Sequence, residues 1–308
     1  MIFVPVLIVA FNRPHIIEKT FKYIRKAEPK TLYVVVDGPR KEIEGETELV
    51  NQVKEFLKDI DWDCDTHYKF NDSNRGAENT VSSAISWVFE KEEFAIILED
   101  DIIAPLSFLK FAQEMLIRYK DEPRISTVTG SNFTPIPIPG NSDYFFAKYG
   151  HSWGWATWRR AWDGFDLNTE INENHLKKTF LKTCCNSLDE IRFYQRMFRA
   201  MKKRGPGKNT WDSIGLYRHR INNHLSIIPR VNLTSNIGVE GLHASGITEH
   251  HFRPVDNDFI VKQHPQKVEC YIDFDKYHFN TYINKKRPFI KRIKNKLKRF
   301  HKKIFIYG

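Results

Sequence analysis

Val4–Ala10 is an unbroken apolar run rich in β-branched residues, the pattern of a strand buried on both faces. The period then changes. Pro14 suits the first turn of a helix, and Ile16, Ile17, Phe21 and Ile24 follow at helical spacing. The same exchange of periods repeats. Leu32–Val36 predicts a second strand, and Glu46–Leu57 a helix with Leu49, Val53, Phe56 and Leu57 on one face. Thr66–Phe70 predicts a third strand, and Ala77–Phe89 a helix that turns Val81, Ala84, Ile85 and Val88 inward. Phe94–Leu98 and Ile125–Thr129 read as further strands, with a helix over Leu106–Tyr119 between them. Strands alternating with helices over residues 1–130 predict an α/β fold with a mostly parallel central sheet flanked by helices. Such sheets bind ligands beyond the carboxyl ends of their strands.

From residue 131 the pattern is less regular. Pro135–Pro139 reads as a rigid connection and Tyr144–Ala147 as a strand. Trp153, Trp155, Trp158 and Trp162 crowd around Gly154. They read most simply as core, although the intervening Gly also permits a stacking wall for a sugar ring. Ser187–Lys203 is an amphipathic helix with Ile191, Tyr194, Phe198 and Met201 on one face. Trp211–Arg220 reads as a helix, Leu225–Val231 as a strand, and 232–284 as loop-rich. We divide the chain into a main unit at 1–250, with halves at 1–130 and 131–250. An extension at 251–284 and a basic tail at 285–308 follow.

Charge changes the picture through that tail. Of the formal charge of +10, eleven Lys or Arg lie in residues 285–308 with no acid, so residues 1–284 stand at −1. A general nucleic-acid surface is therefore not expected. Phe289, Ile290, Ile293, Leu297, Phe300 and Ile304 would line one side of a tail helix. That is the pattern of a basic amphipathic helix lying on an anionic membrane. Hydrophobic residues make up 41% of the chain, enough for a sizeable core. Cys64, Cys184, Cys185 and Cys270 show no Cys-x-x-Cys spacing, so neither a disulfide scaffold nor a zinc module is expected, and a reducing compartment fits. The apolar start, Met1–Ala10, is too short to span a bilayer and lacks the basic opening of a secretory signal.

Polar residues gather after the strands. Glu99-Asp100-Asp101 follows the fourth strand. Three adjacent carboxylates repel one another, and a hard cation bridging a diphosphate would relieve that cost. A solvated acidic turn is the plainer alternative. Asp37 could accept hydrogen bonds from a base or ribose, or simply make the Asp-Gly-Pro turn. Asn74-Arg75-Gly76 offers a guanidinium and a close backbone approach, or a helix cap. Asp212 stands at a helix start, where an acid is often a cap. His243, His250 and His251 lie in a late stretch that could supply a metal ligand. No Gly-x-Gly-x-x-Gly and no Walker-type Gly-Lys-Ser/Thr is present, which removes the best support for dinucleotide and P-loop readings.

Taken together, Pro5–Pro14, Val36-Asp37-Gly38, Leu98–Ile102, Gly154–Trp158 and Trp211-Asp212 resemble a nucleotide-sugar-dependent glycosyltransferase of the GT-A fold. In these blocks the chain resembles the family of N-acetylglucosaminyltransferase I and its bacterial relatives, over about residues 4–245. The resemblance implies a Rossmann-like GT-A sheet. Asp101 would ligate Mn²⁺ or Mg²⁺, with His243 as a late candidate. Ala10, Asn12, Arg13, Asp37, Asn74, Arg75, Glu99, Asp100 and Trp155 would serve the nucleotide-sugar. Asp212 would be the catalytic base, with Ser213 standing where the animal enzymes have a second acid.

The expected reaction moves a sugar, with inversion, from a UDP-sugar to a glycan or lipid-linked hydroxyl in bacterial surface-polysaccharide or lipopolysaccharide synthesis. It would run on the cytoplasmic face of a membrane. A sugar-phosphate nucleotidyltransferase is the runner-up, but Asn12-Arg13-Pro14 is not the Gly-rich basic loop it would want. A carbohydrate- or membrane-binding protein without catalysis is the third reading.

Overall fold

The structure is a computed structural model and describes residues 1–134, 136, 140–239, 248 and 250–284. The chain runs β1 (Val6–Ala10), α1 (Pro14–Ala27), β2 (Thr31–Val36), α2 (Glu46–Lys58), β3 (Asp65–Phe70), α3 (Gly76–Val88) and β4 (Phe94–Glu99). It continues through β5 (Ile102–Ile103), α4 (Leu106–Arg118), β6 (Ile125–Thr129), β7 (Tyr144–Ala147), β8 (Trp155–Trp158) and α5 (Arg159–Trp162). Then come α6 (Lys178–Cys184), α7 (Leu188–Arg204), α8 (Trp211–Ile221), β9 (Leu225–Pro229), β10 (Ser235–Asn236) and α9 (Ile272–His278).

Eight strands form one sheet in the order β3-β2-β1-β4-β8-β6-β9-β7. β3, β2, β1 and β4 are mutually parallel, as is the β6–β9 pair. This is the expected α/β class, a mostly parallel central sheet flanked by helices. Alternation along β1 explains the layers. Val6, Ile8 and Ala10 pack with Phe21 of α1, Val53 of α2 and Phe108 of α4. Leu7 and Val9 turn to the other side, onto Val81, Ala84 and Ile85 of α3. A strand buried on both sides leaves only its ends for polar chemistry.

Three particulars differ from the sequence reading. First, the Trp run, read most simply as core, forms β8, wedged antiparallel between β4 and β6 with Ala156 opposite both Ile96 and Val128. The Trp run is therefore a strand as well as core. Ala156 and Trp158 face one core cluster and Trp155 the other, and the Trp158 indole donates to the Leu116 carbonyl at 2.9 Å. Second, α2 turns in Glu46, Val50, Val53 and Leu57 and leaves Leu49 exposed. Third, the loop-rich stretch contains α9, whose Phe274 packs on Phe145 of β7 at 4.7 Å. The Pro135–Pro139 connection, apart from Ile136, and the tail 285–308 lie outside the described residues. Among the described residues no helix is long and apolar enough to cross a membrane.

The second half builds its own interior. Phe145 and Ala147 of β7 and Ile228 of β9 meet Ile191, Tyr194 and Phe198 of α7. Arg220 is buried there. Its guanidinium donates to Glu190 at 3.2 Å and to the Tyr194 hydroxyl at 2.8 Å, and lies over the Tyr149 and Tyr194 rings at 4.7 and 4.5 Å.

Candidate active site

A cavity of about 650 Å³ opens at the carboxyl ends of β1, β2 and β4. Ala10, Asn12, Arg13, Asp37, Asn74, Glu99, Asp100 and Asp101, all singled out from the sequence, line it together. Their convergence follows from the topology, since β1 lies between β2 and β4 and all three end on the same side.

Asp37 is buried at the end of β2. Its carboxylate accepts from the backbone N–H groups of Gly38 (3.0 Å), Arg75 (3.0 and 3.2 Å) and Gly76 (3.1 Å). The Asn71 and Asn74 amides donate to it at 2.9 and 3.0 Å. This side chain therefore sets the shape of the loop that enters α3. Gly76, at φ +77°, stands in the left-handed region that this loop requires. Arg75 contributes its backbone, and its exposed side chain is not part of the cavity lining.

The acidic triplet forms the opposite wall. Asp100 is buried and makes an ion pair with Arg13 Nη2, which also reaches Asp101 Oδ2 at 3.0 Å. Asp100 is pushed up to about 6 by burial, against the pull of Arg13. Glu99 is pushed up to about 8, first by burial and then by the charges of Asp101 and Asp100. The Arg13 guanidinium is raised by those same two charges despite its own desolvation.

A short β5–β10 pair brings the 235–238 segment onto Asp101. The Ile237 N–H donates to the Asp101 carbonyl at 3.0 Å and the Asn236 amide to its carboxylate at 3.4 Å. A Cβ at Gly238 would fall 2.0 Å from Asp101 Oδ2, so this position must be glycine for the carboxylate to sit where it does. Asp101 is thus aimed into the cavity by its neighbours.

Arg40, on the lining, and Glu46, which holds it, were not singled out from the sequence. Glu46 is buried and binds the Arg40 N–H at 2.7 Å, the Arg40 guanidinium and the Asn12 amide at 2.8 Å. Its carboxyl is held below the ordinary range, first by the Arg40 hydrogen bond. Trp153 and His251, both named from the sequence, also line the cavity, 4.9 Å apart between ring centroids. Trp155, expected beside the nucleotide-sugar, lines a second cavity instead, because Trp153 and Trp155 lie on either side of the Gly154 turn. The one sequence signal near Gly238 is that Asn236–His243 carries two glycines and a histidine. His243 lies outside the described residues.

The second cavity, about 310 Å³, is lined by Trp155, Trp162, Phe165, Trp211 and Asp212, among others. Trp155 and Trp211 stack at 5.9 Å, and Trp162 and Phe165 at 4.0 Å. The start of α8 is fixed from several sides. Thr210 caps it by accepting from the Ser213 N–H at 3.4 Å, and the Trp211 N–H donates to Glu78 at 2.6 Å. Asp212 is exposed there and accepts from Thr210 Oγ1 and from the Ser213 N–H at 2.7 Å. Its charge reaches Glu99 and adds to that group's upward shift, so the two cavities lie close together.

No family model matches the chain, and no curated protein matches it. Solved structures that align with it include TarS 1–349 from S. aureus, at 11% identity and TM-score 0.39, over 74% of this chain and 58% of that one. The mannosyltransferase PcManGT from Pyrobaculum calidifontis, in complex with GDP-Man and Mn²⁺, aligns at 13% identity and TM-score 0.37, over 72% and 70%. The 4-diphosphocytidyl-2C-methyl-D-erythritol synthase from Anaerococcus prevotii aligns at 9% and 0.38, over 75% and 89%. The chain thus spans little more than half the length of the S. aureus chain. At these TM-scores the likenesses carry no argument about activity.

Proposed function

We propose that the protein is a metal-dependent glycosyltransferase that moves a sugar from a UDP-sugar to the hydroxyl of a glycan or lipid-linked acceptor, with inversion. One observation carries this reading: Asp100 and Asp101 share one guanidinium at the cavity wall with Glu99 beside them, and a lone exposed carboxylate stands on an adjoining aromatic cavity. The first set has more negative charge than Arg13 balances, since Asp100 and Asp101 share that one cation, and Glu99 is pushed up first by burial and then by their charges.

The donor set fits a divalent cation that brings ligands of its own. Among the described residues no cluster of three or more His, Cys, Asp or Glu forms a cage. Mg²⁺-type ions need none, since they are commonly held by one or two carboxylates together with substrate phosphates and water. Asp101 would hold the ion. A bound ion of this kind would neutralise the charge that builds on a departing diphosphate.

The remaining work falls to the chain itself. Asp37 and Asn74 hold the β3–α3 loop beside the donor cavity, and Asn12, Arg40 and Glu46 brace its other edge. Arg13 keeps Asp100 and Asp101 turned to the cavity side of β4. Asp212 takes the proton from the attacking acceptor hydroxyl. A base on the side away from the leaving group accounts for inversion by direct displacement. The basic tail, by its sequence, would hold the enzyme on an anionic cytoplasmic membrane surface, at about 1 kcal/mol for each basic residue near the lipid. Deleting residues 285–308 should then end sedimentation with anionic liposomes and leave transfer to a soluble acceptor intact.

The test is release of nucleoside diphosphate from a panel of UDP-sugars, with Mn²⁺ and with EDTA. Release that requires Mn²⁺ and is lost in Asp101→Ala supports the reading. Full activity in EDTA overturns the metal-dependent mechanism. Pyrophosphate release from a sugar phosphate and a nucleoside triphosphate would identify a nucleotidyltransferase instead.

A further inference from the structure

The second cavity is not electrically neutral. Asp212 stands at one part of its lining, while Lys148 and Arg218 line it as well. Among the described residues neither Lys148 nor Arg218 forms a salt bridge; Asp163 offsets part of the Arg218 charge from a distance, and Arg218 Nη2 is bound to a backbone carbonyl of Asp163. His224, on the same lining, is held below its ordinary range by burial and then by the charges of Arg160 and Arg218. His219, with its Nδ1 on Ser126 at 2.9 Å, is likewise pushed down, to about 3, by burial and then by Arg220. Both histidines are thus held neutral, and the positive charge on this lining is that of Lys148 and Arg218.

Paired cations elsewhere in this molecule show the contrast. Arg13 meets the carboxylates of Asp100 and Asp101, and Arg220 that of Glu190, at salt-bridge distance. A lysine and an arginine left without one, on the lining of a cavity with an aromatic wall, are placed to meet a charge that arrives with a ligand. Stacked Trp155 and Trp211 supply the flat apolar surface that a sugar ring covers, and Thr127 and Ser226 supply hydroxyls. Gly150 keeps this lining open, since a Cβ there would fall 2.6 Å from Ser226 Oγ.

The geometry points to an anionic saccharide, carrying a carboxylate or a phosphate, as the acceptor bound between Trp155, Trp211 and Lys148. This rests on the glycosyltransferase reading only in naming the bound sugar an acceptor. The ring lies against the tryptophans, its reacting hydroxyl toward Asp212 and its anion toward Lys148 and Arg218.

Among the described residues the hydrogen bonds of Lys148 are made by its backbone, so its side chain can be changed without breaking one. Its N–H donates to Asp275 at 3.0 Å and its carbonyl accepts from Arg220 at 3.3 Å. The experiment titrates the full chain with glucose, glucuronate and glucose 6-phosphate and follows quenching of tryptophan fluorescence. At least one of the two anions should bind about tenfold more tightly than glucose; the tighter of them identifies carboxylate or phosphate. Lys148→Met should erase that preference and Lys148→Arg should keep it, with UDP binding unchanged in both. Equal binding of glucose and both anions, or a preference that survives Lys148→Met, overturns the inference. Failure to release nucleoside diphosphate from any UDP-sugar would sink the glycosyltransferase reading and leave these binding constants standing.

Discussion

The two halves of the sheet carry charge in opposite ways. At the strand ends of the first half, Asp100 and Asp101 share Arg13, while Glu99 is pushed up to about 8 by burial and by their charges. In the second half, Arg220 is 1% exposed and is enclosed by Glu190, Tyr194 and the carbonyls of Cys184 and Lys148. The first arrangement leaves charge unbalanced beside a cavity. The second balances it away from water. Unbalanced charge at an open edge is costly unless a ligand supplies the counter-charge, whereas balanced internal charge fixes how helices and strands meet. Acidic residues of the first half are thus read as chemistry, and those around Arg220 as architecture.

The sharpest way to break this contrast is to remove each arginine in turn. Arg220→Leu strands Glu190 in the interior and should cost about 3–5 kcal/mol of stability, read from urea unfolding at pH 7. Arg13→Leu should cost clearly less, because Asp100, already pushed up to about 6, can take a proton beside the cavity. Equal losses would mean that both arginines are architectural.

The exposed carboxylate of the second half is the next test. Asp212→Asn keeps shape and removes basicity, so kcat should fall by about 10²–10⁴-fold while donor binding survives. A variant within a few-fold of the parent would assign the base elsewhere, with Glu240 and Glu249, outside the described residues, next to be tried.

Acid should separate the halves as well. His278 is buried among Tyr149, His151, Phe274 and Tyr282, and burial, helped by His250, pushes it down to about 4. The unfolded imidazole takes a proton near pH 6.5, whereas the folded one resists until about pH 4. Stability from this residue is therefore full above pH 6.5 and lost as pH falls toward 4, on the order of 3 kcal/mol in all. His278→Phe keeps the ring contacts and removes the proton site. Its melting temperature should fall less between pH 7 and pH 4.5 than the parent's, and an equal fall would place the acid sensitivity at His219 and His151.

Legibility in the sequence follows the same division. Parallel strands buried on both faces must be continuous apolar runs, so β1, β2 and β4 could be read directly, and with them the polar residues at their ends. β8 could not, because Trp155–Trp158 is four residues long and its tryptophans look alike whether they pack on one face or two. Asp37 was legible as a site residue, but not that its carboxylate would be filled by the Asn74–Gly76 loop. Glu46 and Arg40 were missed for a related reason: a buried ion pair between a loop and a helix start leaves no periodic trace.

Glu46 also explains the smallest effect expected. The helical pattern of α2 admits two faces one residue apart, one with Leu49 and one with Val50. Burial of Glu46, drawn in by Arg40 and Asn12, selects the face that carries Val50, Val53 and Leu57 at the following turns. Leu49 is left 39% exposed. Leu49→Lys should therefore change stability by no more than about 0.5 kcal/mol, as surface substitutions do. Val50→Lys, at a site with no exposure, should destabilise by several times as much, because it forces an ammonium against the β1 and β2 side of the sheet. Urea midpoints of the two variants decide it: a large loss for Leu49→Lys would mean that the helix is rotated toward the face its leucines first suggested.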